Sequence, residues 1–304
     1  MSAVPATGWW PVARTLLVHL RLHFQLLLAP VFLWGWLVAT HARPGGPGSR
    51  VTASVVLAFV CLHVFLYGGA TAFNSYYDRD QGPIGGLERP PAVVPALLPF
   101  AVVTKLAGLV LAAFVGRSFL AVCVLLVLLS VAYSRSWPRL KARPWGSLLT
   151  VGLGQGALVY LGAWAAVRGD VHSILDPVGA LGALPPTAFV VGLYPLTQLF
   201  QMDEDRARGD RTVAVAWGVT TGFAVSLASQ AIGGLAMLAV LGRLFGPADV
   251  LLVGAGLLAQ LGFVARWAIR FDAGDTLANF HRVMRLNAAG ATGLGLYLLV
   301  RGAG

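Results

Sequence analysis

The chain contains nine apolar stretches that are long enough to cross a lipid bilayer as helices. A spanning helix needs about 20 mostly apolar residues to cross a hydrocarbon core about 30 Å thick. Only 11% of the 304 residues are charged, whereas a soluble globular domain carries about 25%. The sequence therefore predicts an all-α integral membrane protein, a single transmembrane domain over residues 1–304. The candidate helices lie near residues 15–39, 51–74, 92–115, 118–134, 147–167, 182–202, 213–241, 248–269 and 279–301.

The distribution of basic residues predicts the orientation, because Lys and Arg are retained on the cytoplasmic side of a membrane. With the N-terminus inside, fifteen of the 22 Lys and Arg residues fall in inside segments, six fall outside, and Lys105 lies within a helix. This arrangement predicts a multi-pass protein of the cell inner membrane with an external C-terminus and a Gly/Pro-rich outside loop at 43–50. The longer polar loops then all face the cytoplasm, at 75–91, 135–146, 203–212 and 270–282.

The formal net charge of +10 is explained by this topology and by attraction to anionic lipid headgroups. No basic tail or RNA-binding motif accompanies it. We therefore expect membrane lipid as a partner and no nucleic acid, and the sequence gives no sign of an obligate protein partner.

Two acid-bearing loops leave the membrane on the same predicted side, four helices apart. The second helix ends in "FNSYYDRD" (73–80) and the sixth in "LFQMDEDRARGDRT" (199–212). In each loop an amide precedes an aspartate by four residues, a spacing that places both side chains on one helix face. The polar face continues upstream along both helices, through His63, Tyr67 and Thr71 in the second and through Tyr194 and Gln198 in the sixth.

These two loops carry the residue types that bind a diphosphate. If the second and sixth helices are neighbours, their carboxylate and amide oxygens form a cage suited to Mg²⁺, which prefers a few carboxylates together with substrate phosphates. Nearby Arg and Lys side chains would bind the remaining phosphate oxygens. On a membrane protein we expect such a diphosphate to carry an apolar chain. Mg²⁺ would stabilise the leaving group, and the apolar interior would keep water from the reacting carbon.

The segments "NSYYDRD" with the following "RPP", "YSRSWPRLK" at 133–141 and "QMDEDRARGDRT" at 201–212 resemble the motifs of the UbiA superfamily of intramembrane prenyltransferases. The resemblance covers nearly the whole chain. It implies nine transmembrane helices around a central cavity, with two aspartate-rich cytoplasmic loops that bind Mg²⁺ and a polyprenyl diphosphate. It also implies transfer of the prenyl group to an aromatic or other lipophilic acceptor, as in quinone biosynthesis.

The resemblance assigns roles to particular residues of the chain. Asn74, Asp78 and Asp205 match the family motifs and are the candidate catalytic residues. Gly82 and Gln201 stand where the family has aspartates, so each departure removes a carboxylate. The full set of candidate metal ligands is Asn74, Asp78, Asp80, Gln201, Asp203 and Asp205. The candidate substrate-binding residues are Arg79, Tyr133, Arg139, Lys141, Gln198 and Arg211.

Two other functions fit the same features. The first is a terpene cyclase on the same scaffold, in which the prenyl chain attacks itself and no acceptor is needed. The second is a non-catalytic relative that binds or carries lipid diphosphates. A further segment, "GLGQG" at 152–156, has the composition of a phosphate loop, but it lies in an apolar span, where close helix packing is the better interpretation.

Overall fold

The structure, a computed structural model, describes residues 9–42 and 51–303. The predicted outside loop at 43–50 lies outside the described residues. In the described parts, nine helices are long and apolar enough to cross a membrane, and the predicted all-α membrane fold is confirmed. They are α1 (Trp9–His41), α2 (Ala53–Asp78), α3 (Leu97–Val115), α4 (Arg117–Ser134), α5 (Pro144–Arg168), α6 (Pro177–Gln198), α7 (Val213–Leu244), α8 (Pro247–Ile269) and α9 (Thr276–Gly302).

Helix α1 is interrupted near its middle, where a continuous helix over 15–39 was expected. Its first part, Trp9–His19, ends before Arg21, whose backbone is left-handed with φ 49°. The Arg21 side chain is buried and donates a hydrogen bond from Nη2 to Ser75 Oγ at 2.6 Å. A charged group at membrane depth must find a polar partner or a wet cavity. The break in α1 directs Arg21 toward such partners.

Helices α2 and α5 each contain a π-helical turn, at Cys61–Leu66 and Gly152–Ala157 respectively. A π turn adds one residue per turn and rotates the side chains that follow it. Tyr67 consequently faces the centre of the bundle, where its hydroxyl donates to Gly154 O at 3.3 Å.

The four-residue spacing predicts that His63 shares a helix face with Asn74. In the structure it does not share that face. The His63 ring stacks on Phe59, and Nδ1 lies 3.0 Å from Phe59 O. Tyr67, Thr71 and Asn74 do line the central cavity, which His63 does not reach. The π turn at Cys61–Leu66 is the physical reason, because it breaks the four-residue periodicity below Tyr67.

Helices α5 and α6 pack closely through the "GLGQG" segment, in agreement with the packing interpretation. A Cβ atom on Gly156 would lie 2.5 Å from Thr187 Cα, and one on Gly152 would lie 2.7 Å from Val191 Cγ2. At Gly156 the two backbones therefore approach more closely than a side chain would permit, and at Gly152 the backbone of α5 packs directly against the Val191 side chain. This approach fixes the position of α6, which leads into the second acidic loop.

Apolar side chains form both the interior and the outer surface of the bundle. One buried cluster joins α2, α4 and α5 through residues such as Leu62 and Phe119, and another joins α1, α5 and α7 around Trp34 and Trp164. Large apolar side chains are also exposed, including Leu251 and Val300. Exposed apolar surface of this extent is expected of a protein surrounded by lipid.

We predict that Gly156→Ala destabilises the protein by about 1–3 kcal/mol, because the added methyl group meets backbone atoms that cannot rotate away. Thermal unfolding in detergent, followed by circular dichroism, measures the change. Gly262→Ala is the matched control, since a Cβ atom there has no neighbour within 4 Å. Equal melting temperatures for the two variants would contradict the proposed close packing.

Candidate active site

A central cavity of about 900 Å³ lies inside the bundle. Every helix except α3 contributes side chains to its wall. Ligand-binding cavities have volumes of about 300–1,000 Å³, so this one can hold a large ligand. The charged residues collect at one end of the cavity, and the remainder is lined mainly by apolar side chains such as Leu257, Phe263 and Leu294.

The two acidic loops meet at the charged end of the cavity. Arg208 of the second loop donates from Nη1 to Asp80 Oδ1 of the first loop at 2.7 Å. The backbone N–H of Gly82 donates to Glu204 Oε1 at 2.6 Å. Two segments that are more than 120 residues apart in the chain are thus directly bonded.

The first loop contributes an amide and two carboxylates. Asn74 Oδ1 accepts hydrogen bonds from Ser134 Oγ at 2.9 Å and from Lys141 Nζ at 3.1 Å. Asp78, one turn later on the same face, forms a buried ion pair with Lys141. Helix α2 ends at Asp78 because Arg79 adopts a left-handed conformation, with φ 53°. This turn brings Asp80 back into the wall of the cavity.

The second loop contributes Asp205 from a short helix, Met202–Ala207. Its carboxylate accepts from Arg208 Nη2 at 2.5 Å and from Thr212 Oγ1 at 3.2 Å. Gly209 has φ 75°, a conformation that favours glycine. The turn allows the N–H of Asp210 to donate to Asp205 O at 2.9 Å.

Two basic side chains of the segment between α4 and α5 contact the carboxylates of the cavity, and one of them, Lys141, also lines it. Arg139 donates from Nε and Nη2 to the two carboxylate oxygens of Asp210, both at 2.8 Å. Its Nη2 also lies 3.4 Å from Asp78 Oδ1. Arg139 therefore links the first acidic loop to the second, and Lys141 completes the connection through its contacts with Asn74 and Asp78.

The family model described as the UbiA prenyltransferase family matches residues 27–288 of the chain. The chain belongs to this family. The resemblance predicted from the motifs is thereby confirmed. A search of curated proteins gives no match.

Solved structures of UbiA homologues share the fold. The apo homologue from Aeropyrum pernix K1 aligns with a TM-score of 0.66 at 17% identity, over 90% of this chain and 97% of that chain. A homologue from Archaeoglobus fulgidus bound to DMAPP and Mg²⁺ aligns with a TM-score of 0.59 at 16% identity, over 90% and 99% of the two chains. A structure of digeranylgeranylglyceryl phosphate synthase aligns with a TM-score of 0.61 at 15% identity, over 93% and 96%.

The oxygen atoms of the UbiA site fit a divalent cation, although the protein alone does not supply a full cage. Asp80 Oδ2 is buried and has no hydrogen-bond partner in the described part of the chain. Within residues 9–42 and 51–303, no group of three His, Cys, Asp or Glu side chains is arranged to hold a metal ion. Mg²⁺ in proteins is commonly held by one or two carboxylates together with substrate phosphates. Asn74, Asp78 and Asp80 match that requirement.

The electrostatics of the two loops also favour an added cation. Burial and the adjacent carboxylate of Asp78 raise the pKa of Asp80 above its usual value. Burial likewise raises the pKa of Asp205 to about 6, against the opposing effect of Arg208. Carboxylates whose ionised form is disfavoured by burial gain stability when a cation binds beside them.

The structure separates the predicted site residues into two groups. Arg139 contacts the carboxylates of the cavity. The cavity is lined by Asn74, Asp78, Asp80, Tyr133, Lys141, Gln198, Gln201 and Asp205. Arg79, Asp203 and Arg211 are exposed and do not line it. Asp203 pairs instead with Arg206 on the outer side of the short helix. We therefore leave these three residues out of the proposed mechanism.

Arg21, Glu204, Arg208 and Asp210 belong to the charged end of the cavity, yet sequence patterns did not assign them a role. Arg21 had a usable signal, because a charged residue inside an apolar span is unusual. Arg208 lies three residues after Asp205, a spacing that places both on one helix face. Glu204 and Asp210 carried no such signal, because an acidic residue at a helix end is commonly a solvated cap.

We predict that Glu204→Ala loosens the contact between the two acidic loops, because the partly buried N–H of Gly82 loses its acceptor. Hydrogen–deuterium exchange of the peptide containing Gly82 should become faster. Asp203→Ala is the matched control, since its exposed carboxylate contacts only Arg206 among the described residues. Unchanged exchange in Glu204→Ala would show that this bond does not hold the loops together.

Proposed function

We propose that the protein is a Mg²⁺-dependent prenyltransferase that moves a prenyl group from a polyprenyl diphosphate to a lipophilic acceptor within the membrane. One observation carries this proposal: acidic and basic side chains from three loops meet at the end of a deep apolar cavity. A ligand with a charged head and a long apolar chain matches both parts of the cavity.

The charged end would bind the diphosphate and its metal ion. Asn74, Asp78 and Asp80 would hold Mg²⁺, which neutralises charge that develops on the leaving diphosphate as the allylic C–O bond ionises. Arg139 and Lys141 would bind phosphate oxygens, with the planar guanidinium able to make two parallel bonds. Because both basic residues now pair with carboxylates, binding requires them to exchange or share these partners.

The apolar part would hold the prenyl chain and exclude water from the reacting carbon. Tyr133 and Tyr194 join α4 and α6 across the cavity wall, with their hydroxyl oxygens 2.9 Å apart. Both tyrosines line the cavity, and their aromatic faces would stabilise a developing allylic cation. Gln198, one turn after Tyr194, accepts from the N–H of Ala214 at 3.4 Å and so ties α6 to α7.

Related structures and charge distribution support the substrate class and the orientation. UbiA homologues from Archaeoglobus fulgidus have been solved with DMAPP or GPP and Mg²⁺. On the basic-residue distribution, the charged end of the cavity faces the cytoplasm and the protein lies in the cell inner membrane. Membrane lipid surrounds the exposed apolar helices.

We expect purified protein with Mg²⁺ to release diphosphate from geranyl, farnesyl or geranylgeranyl diphosphate only when a lipophilic acceptor, such as a quinone precursor, is present. Release is measured by a phosphate-coupled assay and the product by mass spectrometry. Release without any acceptor would indicate the cyclase alternative or hydrolysis. If no diphosphate is released with any of the substrates and acceptors, the result would favour a non-catalytic carrier.

The same assay tests the candidate catalytic residues. Asp78→Ala should reduce turnover by at least about 100-fold, the scale seen when a group that stabilises transition-state charge is removed. Asp205→Ala should also reduce turnover, because it removes the carboxylate that positions Arg208 at the charged end of the cavity. Asp203→Ala should retain turnover, because its carboxylate lies outside the cavity. Normal activity in Asp78→Ala would count against the proposed function.

We predict that Lys141→Ala chiefly raises the KM for the prenyl diphosphate, by roughly 10- to 100-fold. This range corresponds to the loss of one charged hydrogen bond, worth about 1.5–3 kcal/mol. Steady-state kinetics at saturating acceptor measures the change. Arg143→Ala is the control, because Arg143 is an exposed cation in the same segment. An unchanged KM in Lys141→Ala would remove this residue from the diphosphate site.

A further inference from the structure

Arg208 lies at the centre of the acidic residues from both loops. Its guanidinium contacts Asp80 at 2.7 Å, Asp205 at 2.5 Å, Asp210 at 3.4 Å and Glu204 at 3.6 Å. Only Asp80 comes from the first loop, and the other three belong to the second. One side chain therefore neutralises acidic groups that would otherwise repel one another across the cavity.

The second loop has few carboxylate oxygens left for a metal ion. Both oxygens of Asp205 are bonded, one to Arg208 and the other to Thr212. Both oxygens of Asp210 are bonded to Arg139. Two buried carboxylate oxygens have no hydrogen-bond partner in the described part of the chain. One is Oδ2 of Asp80, whose Oδ1 accepts from Arg208, and the other is Oε2 of Glu204, which lies 3.6 Å from Arg208 Nη1.

The two motif positions that lack carboxylates lie beside this guanidinium network. At Gly82 the backbone N–H donates to Glu204, and a Cβ atom there would lie 2.8 Å from Glu204 Oε1. Gln201 lines the cavity with a neutral amide. Two aspartates at these positions would add two negative charges, which equals the charge of one Mg²⁺. Their absence matches a site with one divalent cation fewer.

We propose that Arg208 takes the place of a second divalent cation, so that a single Mg²⁺ accompanies the diphosphate. Oδ2 of Asp80 would hold that ion together with Asn74 and Asp78, whose oxygens now bond to Lys141 and Arg139 and would become available when these two basic residues bind the diphosphate. Arg208 supplies fixed positive charge on the side of Asp205, where a guanidinium can bond several carboxylates at once. This inference rests on the proposed function, since it concerns the ions that bind with a prenyl diphosphate.

The number of bound metal ions tests this inference without measuring turnover. Mn²⁺, which is visible by electron paramagnetic resonance, replaces Mg²⁺, and geranyl thiolodiphosphate serves as a substrate analogue that resists ionisation. Titration of the detergent-purified full chain should show one Mn²⁺ per chain in the wild type. Arg208→Met should admit a second ion. Arg206→Met should still bind one, because Arg206 is an exposed neighbour that pairs with Asp203.

Two bound Mn²⁺ ions in the wild type would overturn the inference, and so would a single ion in both the wild type and Arg208→Met. If Arg208→Met does not fold, the wild-type count of one or two still decides. Binding of the analogue is measured in parallel. It distinguishes a wrong inference about Arg208 from a wrong proposed function. Two ions with the analogue bound would overturn only the role of Arg208, whereas no binding of Mn²⁺ or analogue would overturn both.

Discussion

Charge neutralisation at the end of the cavity is the constraint on which the rest of this structure depends. Buried carboxylates are unfavourable unless cations or hydrogen-bond donors face them. Here Asp78, Asp80, Asp205 and Asp210 each contact a basic side chain. Three of these pairs, Asp78–Lys141, Asp80–Arg208 and Asp210–Arg139, join distant segments of the chain and so connect parts of the bundle. The ion pairs that assemble the site therefore also hold together the segments that form it.

The backbone is bent to satisfy this constraint. Among the described residues, the three that have positive φ without being glycine are Arg21, Arg79 and Arg139. All three lie beside the charged end of the cavity, where strained backbone is often concentrated. Arg21 and Arg139 turn their own side chains toward acidic or hydroxyl groups, whereas Arg79 ends α2 and lets Asp80 turn inward. Each left-handed residue costs conformational free energy. The cost is offset because the turn brings a charged side chain to a partner that it would otherwise lack.

The sequence predicted the features that depend on local spacing and overall polarity. Apolar length identified the spans, and the four-residue spacing placed Asn74 with Asp78 on one helix face. His63 was misplaced because a π turn changes the periodicity, and apolar side chains alone do not reveal such a turn. The sequence likewise could not predict that Asp80 lines the cavity and Asp203 does not. It depends on the left-handed turn at Arg79 and on the direction in which the short helix Met202–Ala207 faces.

Loss of a motif carboxylate is not by itself evidence of lost function at such a site. Because buried charge must be balanced, a site with fewer carboxylates needs fewer metal ions, and a fixed guanidinium can supply part of the positive charge that remains necessary. Under the proposed assignment, Gly82 and Gln201 lower the negative charge of the site, and Arg208, which contacts Asp80, Asp205 and Asp210, supplies fixed positive charge. The two missing motif carboxylates and the Arg208 guanidinium are best understood together. The net charge at the diphosphate site depends on both, and not on the number of aspartates alone.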